Sequence, residues 1–194
     1  MGAPIYVETR IACEVTEIWR FTQEPQLHER WDLRFSRIKY ASRRDDQEPQ
    51  RFRYSRRIVS GLWIRGGGET TGERRRDDGS AASALRFWSD QRRSLIERGS
   101  GYWRYVPGGE GVRFLTRYDY EVRWGSVGAI VDGLLFRCLL GWATAWSFDA
   151  VRIWIEEGVE PIGPLRALAR RTFGREDDPR LPRASRCLRA PEGA

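Results

Sequence analysis

Lysine is all but missing from this chain. Lys39 stands alone among 34 basic residues, so taking it away leaves 33 arginines. A replacement this complete is a compositional bias and marks no particular site. The net charge of +7 permits weak attraction to acidic surfaces. From Gly158 onward eight Arg face five acids, which supplies +3, and the rest of the chain carries +4. The body is nearly balanced for its size, and no specific nucleic-acid partner is expected. Cysteine is scarce: Cys13, Cys138 and Cys187 are far apart, odd in number and form no CxxC. That excludes a disulfide framework and predicts a reducing, cytoplasmic setting.

Other absences narrow the chemistry. His28 is the only histidine. His28-Glu29-Arg30-Trp31-Asp32 begins like the HExxH zinc motif, but Asp32 stands where the second His belongs, so no metal is expected. A Ser-His-Asp or Cys-His pair would have to use His28, which reads as a helix-surface or capping residue. No Gly-Lys-Ser/Thr exists, and Gly66–Gly72 misses the dinucleotide fingerprint at Thr71. No cofactor is expected. Met1 to Arg10 holds no basic segment followed by an apolar run, so no signal peptide is read. The most apolar stretch, residues 127–155, is interrupted by Asp132, Arg137, Asp149 and Arg152. Such charges are costly inside a bilayer, so a buried helix is predicted and no transmembrane segment.

Aromatics are what the chain has in quantity: nine Trp, seven Tyr and eight Phe in 194 residues. Their large, stiff side chains suit either a core or a cavity wall. Hydrophobic residues at 40% and charged residues at 31% predict one globular domain. Ile5, Val7, Thr9 and Ile11 alternate with polar residues as in a strand. Val15, Ile18, Trp19 and Thr22 then fall at helical spacing, and Pro25 opens a second short helix. About six strands follow, joined by short turns, with Gly66–Gly68 in an edge or bulged strand. From residue 126 to 157 the helical period returns. Val127, Val131, Leu134, Cys138, Trp142, Ala145, Trp146, Asp149 and Ile153 form one stripe, with a kink expected at Gly141. The fold class is therefore α+β: a curved antiparallel sheet wrapped around a long late helix. Residues 159–194 read as an Arg-rich tail, a short amphipathic turn and then disorder, dispensable for the fold.

Glu17-Ile18-Trp19-Arg20-Phe21-Thr22-Gln23-Glu24-Pro25, followed by Arg30-Trp31-Asp32, resembles the early helical segment of the START-like, polyketide cyclase/dehydratase (SRPBCC) superfamily. Strands followed by one long helix resemble its ending, and the resemblance covers about residues 4–158. It implies a helix-grip fold around a hydrophobic cavity that binds an apolar ligand such as a lipid, sterol or polyketide. It supplies no catalytic set to transfer.

Strand alternation selects the lining of that cavity. Phe114, Thr116, Tyr118 and Tyr120 share one face of a late strand, opposite Arg113, Arg117, Asp119 and Glu121, and charged residues belong outside. Trp103, Phe87 and Tyr54 take the inward face of their strands, and Trp142 and Trp146 lie one helical turn apart. Gly99 and Gly101, beside Trp103, are expected to leave space. Arg56 and Glu97 fall on inward faces, where a charge must be paired or used. The expected function is binding or carrying an apolar or aromatic small molecule. The alternative is a cyclase or dehydratase in which Arg56 holds an oxygen while Glu97, Tyr118 or Tyr120 moves a proton. Arginine-driven nucleic-acid binding is a remote third.

Overall fold

The structure, a computed structural model, describes residues 3–42, 45, 48–59, 61–173 and 178–190. Seven antiparallel strands form one sheet in the order β1-β7-β6-β5-β4-β3-β2. They are β1 (Ile5–Ile11), β2 (Arg37–Tyr40), β3 (Arg51–Val59), β4 (Leu62–Arg75), β5 (Ala81–Trp88), β6 (Ile96–Gly108) and β7 (Gly111–Val122). Helices α1 (Val15–Gln23) and α2 (Pro25–Trp31) separate β1 from β2. Short turns join the later strands, as antiparallel neighbours allow. β4 is interior to the sheet and its pairing with β5 slips between Thr70 and Gly72, so Gly66–Gly68 lie in a bulged strand and not at an edge. The reason is close approach: a Cβ on Gly66 or Gly68 would strike the rings of Tyr54 or Phe52 on β3.

After β7 the chain turns sharply. Trp124, a non-glycine residue at φ 69°, is in the left-handed region, and its indole N–H donates to the Arg92 carbonyl at 3.1 Å. A continuous helix then runs as α3 (Gly125–Val131), a π-helical turn (Asp132–Phe136) and α4 (Arg137–Glu157). The irregularity therefore lies at Asp132–Phe136, whereas α4 passes Gly141 unbroken. Gly158, at φ 69°, ends the helix in a conformation that costs glycine little.

The core sits where α4 crosses the sheet. Phe114 on β7 stacks on Tyr105 of β6 (5.2 Å, 21°) and on Phe148 of α4 (4.3 Å, 15°). Full burial of such a ring is worth roughly 1.5–3 kcal/mol. Residues Thr144 to Val151 are all buried, but Val127, Val131, Leu134 and Cys138 are exposed. The apolar stripe is thus covered only in its second half. By length and composition Gly125–Glu157 could cross a membrane. In this fold its second half is instead the centre of the core.

Residues 178–190 depart from the disorder expected of them. Leu181, Ala184 and Cys187 are buried, and Leu188 pairs with Glu8 at the β1 edge. The anchor is Asp149, fully buried on α4. It accepts from Arg152 Nε (2.9 Å), the Arg183 backbone N–H (2.7 Å) and Arg186 Nη1 (3.1 Å). A buried carboxylate needs such partners, and part of the arginine-rich tail supplies them. The short amphipathic segment is α5 (Pro164–Phe173).

Candidate functional site: a cavity with one polar wall

Sheet and helix do not meet along their whole length. Between them lies a cavity of about 610 Å³, within the range of small-molecule sites. The sheet contributes Tyr54 and Arg56 from β3, Phe87 from β5, Trp103 from β6 and Thr116 and Tyr118 from β7. Leu140 and Trp142 come from α4, and His28, Leu33, Arg34 and Phe35 from α2 and the segment after it. Ile58, Arg93 and Leu139 also line it and are exposed. One mouth therefore opens between the β3–β4 turn, the β5–β6 loop and the first half of the long helix.

Four residues expected in the wall lie elsewhere. Phe114 is used up in the ring stack of the core. Trp146 is buried one turn from Trp142 but does not line the cavity. Tyr120 donates to Asp132 Oδ1 at 2.5 Å, and the Arg137 guanidinium lies 4.6 Å from its ring centroid. Glu97 is exposed and paired with Arg123 at 3.6 Å. A bulge between Ile96 and Arg98 shifts the β6 register, and one extra residue reverses which face a side chain takes. The glycines leave less room than expected. Gly101 lines the cavity, but a Cβ on it would meet Tyr118, and the Phe87 ring fills the space over Gly99.

The residues sequence reasoning missed are the polar ones. His28 is buried in the wall, not on a helix surface. Its Nε2 lies 3.0 Å from Asp32 Oδ2, one helical turn on. Its ring stacks on Trp31 (5.0 Å, 22°) and meets Trp103 edge-on (5.0 Å, 69°). Arg34 grips the same carboxylate, with Nε 2.9 Å from Oδ1 and Nη2 2.6 Å from Oδ2. The Arg34 guanidinium sits 5.4 Å from the Tyr118 ring centroid. Tyr118 Oη is 2.8 Å from Thr144 Oγ1, and Thr144 donates its single proton to the Leu140 carbonyl at 2.8 Å. Tyr118 must therefore donate to Thr144. One polar row thus runs from α2 through the Asp32–Arg34 pair to β7 and α4, joined by hydrogen bonds except where Arg34 lies over the Tyr118 ring. The i,i+4 spacing of His28 and Asp32 was the signal that could have found it.

Protonation follows from burial and partners. Burial alone would raise the Asp32 carboxyl, but Arg34, then His28, hold it well below the usual carboxylate range. Burial would lower Arg34, and Asp32 outweighs that, so the guanidinium stays charged. Burial pulls His28 down despite Asp32. His28 is neutral at neutral pH, carries its proton on Nε2 facing the acceptor-only carboxylate, and keeps Nδ1 as an acceptor. Burial pushes Tyr54 up to about 12 and also raises Tyr118, although Arg34 opposes the latter. Neither tyrosine is a base near neutral pH. The expected Arg56–tyrosine proton pathway therefore lacks its activated tyrosine. Burial lowers Arg56, half-buried in the wall, and the more distant Asp32 charge opposes this only in part.

A strongly curved seven-stranded sheet gripping one long helix, with a cavity between them, is the START-like (SRPBCC) helix-grip fold. Comparison with known structures gives the same result. Over 77% of this chain and 84% of theirs, it superposes on a STAR-related lipid transfer protein from Xanthomonas axonopodis (TM-score 0.57, 14% identity). The di-domain ARO/CYC StfQ of the steffimycin biosynthetic pathway matches 81% of this chain and 52% of its own (TM-score 0.57, 13% identity). A START superfamily protein from Mycobacterium smegmatis matches 78% and 97% (TM-score 0.51, 16% identity). No family model matches the sequence. An uncharacterized membrane protein of Bacillus subtilis, YndG, is 46% identical over 165 residues, 84% of this chain. The chain spans 61% of that relative's length.

Proposed function

We propose that this domain binds an apolar small molecule that ends in one anionic oxygen group, with its apolar body against Trp103 and Phe87 and its oxygens toward Arg34 and Arg56. One observation carries the reading. In a largely apolar cavity of about 610 Å³, Arg34 and Arg56 line the inner wall and Arg93 the mouth, and the one carboxylate beside them, Asp32, lies behind Arg34 and pairs with it. With His28 neutral and Arg34 paired, Arg56 is the uncompensated positive charge of the inner wall, and a ligand carboxylate would balance it. The bidentate bond to Asp32 uses Nε and Nη2 of Arg34, which leaves Nη1 as a donor. The lipid-transfer and cyclase proteins that share the fold support a small-molecule reading at the level of class.

The test is a fluorescence titration, read through the wall tryptophans, of a long-chain fatty acid against its methyl ester. A charged hydrogen bond is worth about 1.5–3 kcal/mol, so the acid should bind roughly 10- to 100-fold tighter. Arg56→Met should erase most of that preference. Equal affinity for acid and ester, or no binding of either, refutes the proposal.

A cyclase or dehydratase is the second reading, and the His28–Asp32 pair favours it. An oriented neutral imidazole with a free Nδ1 in a cavity wall can serve as a general base. Binding ranks first because nothing else in the wall is poised to move a proton near neutral pH. Three free thiols, one of them buried, support a reducing, cytoplasmic compartment. The membrane named for the Bacillus subtilis relative is in keeping with a domain that handles an apolar ligand.

A further inference from the structure

The first half of the long helix touches the body along one narrow line. Gly128 and Asp132 are buried and Phe136 half-buried, each one turn from the next. A Cβ on Gly128 would strike the Arg123 carbonyl, so the backbones are nearly in contact there. The rest of this surface is apolar and open. Leu134 is 78% exposed, Leu135 65%, Val127 62% and Ile130 60%, with Val131 and Leu139 also exposed. Between Gly125 and Gly141 the only charges are Asp132 and Arg137, which bond each other at 2.9 Å and lie largely out of solvent. The outer face therefore carries no charge. Six neighbouring aliphatic side chains make a contiguous patch, unlike the scattered apolar residues of ordinary surfaces.

Arginines border this patch. Arg92 and Arg93 lie on the β5–β6 loop, where the Arg92 carbonyl holds the half-exposed Trp124 indole. Arg57 is on β3 next to Ile58, itself 53% exposed. None of the three forms an ion pair with a described residue. The strand register brings these segments to one end of the sheet: Gly67 pairs with Trp88, and Ile96 with Val122. The same end holds the cavity mouth, since Ile58, Arg93 and Leu139 all line it.

We propose that this end docks on an anionic lipid bilayer, with the outer face of residues 125–139 lying in the headgroup–acyl boundary and Arg57, Arg92 and Arg93 on the phosphates. An uncharged apolar helix face flanked by arginines and an interfacial tryptophan is the pattern of an in-plane membrane helix. A second copy of the chain fits less well. A two-fold contact through this face would bring the unpaired Arg57, Arg92 and Arg93 of the two copies to the same interface, like charge beside like charge. Docking stands on this surface alone, whatever the cavity holds. If the cavity is loaded, docking turns its mouth toward the lipid.

The experiment is flotation of the purified chain with vesicles of equimolar phosphatidylcholine and phosphatidylglycerol, and with phosphatidylcholine alone. Wild-type protein should float with the mixed vesicles and much less with the neutral ones. Leu134→Glu combined with Leu135→Glu should abolish flotation. Both positions face solvent, so the melting temperature and the fatty-acid titration should stay at wild-type values. Arg92→Gln with Arg93→Gln should weaken binding to the mixed vesicles by about 30-fold. The proposal is overturned if the wild type floats with neither vesicle, if it floats equally with both, or if the leucine variant floats like wild type. It is also overturned if light scattering finds a dimer that the leucine variant dissociates, which would make this face an interface between copies. Failure here with normal fatty-acid binding removes the docking and leaves the ligand reading intact.

Discussion

Replacing Arg34 by Met isolates the energetics of the polar wall. The wild-type pair is buried, with side-chain exposure of 13% for Arg34 and 0% for Asp32. Met keeps most of the apolar stem and removes the charge. Asp32 would then keep only neutral His28 and the Arg34 backbone N–H, 3.0 Å away. Breaking a buried pair on one side costs about 3–5 kcal/mol, or about 6–20 °C in melting temperature for a domain of this size. The pH dependence is the sharper part. In the wild type Asp32 is depressed below its usual value of 3.8, so its stabilisation is present above that value and is lost as pH falls further. His28 is lowered from 6.5, so below that pH the unfolded chain binds a proton the folded one does not, and stability again falls with pH. In the variant the sign changes. Burial now raises Asp32 with only His28 and one backbone N–H against it, and a protonated His28 becomes its natural counter-ion. The deficit should be full at about pH 8 and much smaller at about pH 5, where the site takes up a proton. Urea unfolding at the two pH values measures this. The double variant Asp32→Asn/Arg34→Met, which leaves no lone charge, should recover most of the loss. A deficit under about 1 kcal/mol, or one independent of pH, would refute the account of the wall.

Two further outcomes follow from packing. Deleting residues 178–194 should destabilise the domain by about 3–5 kcal/mol, because buried Asp149 loses Arg186 and the Arg183 N–H while the contacts of Leu181 are stripped away; a thermal melt like that of the intact chain would contradict this. Gly101→Ala should drive Tyr118 off its position, since the new Cβ would strike it and sit 2.9 Å from the Arg117 carbonyl. The expected cost is about 1–3 kcal/mol together with weakened fatty-acid binding, and unchanged affinity would show that Tyr118 does not shape the pocket.

Much of the sheet could be read from alternation alone. On β7 the charged residues Arg117 and Glu121 are outside, while Thr116 and Tyr118 turn inward, as period two requires. The same rule misjudged Glu97, because a bulge adds one residue to the count and nothing in Ile96-Glu97-Arg98 announces it. Phe114 illustrates a different limit. Period two assigns a face, but whether an inward ring lines a void or fills the core depends on what opposes it, here Phe148 at 4.3 Å. The polar wall was hidden for a chemical reason. His28, Asp32 and Arg34 are individually ordinary surface residues, and only mutual neutralisation lets them be buried. The tail was misread for the same reason: its arginines signalled disorder until Asp149, far away in sequence, gave them a partner.

The long helix holds the most instructive case, because its period was right and its surroundings were not. A stripe at helical spacing says which side chains share a face; it does not say that anything lies opposite. Lengths decide that. Tyr118 meets Thr144 at 2.8 Å, which fixes strand and helix against each other. Beyond that point β7 continues four residues to Val122, about 13 Å at strand rise. The helix continues nineteen residues back to Gly125, about 28 Å at helical rise. The helix segment is thus about twice as long as the strand it runs beside; it returns to β7 and its exit at Asp132 and Gly128, and the exposed leucines face away from those contacts. The π-helical turn at Asp132–Phe136 begins at one of these contacts. Asp132 is buried there, bonded to Tyr120 and Arg137, and the aliphatic residues around it remain turned outward. Whether an apolar stripe is covered thus depends on how much strand runs beside it, which the period of the stripe alone does not report.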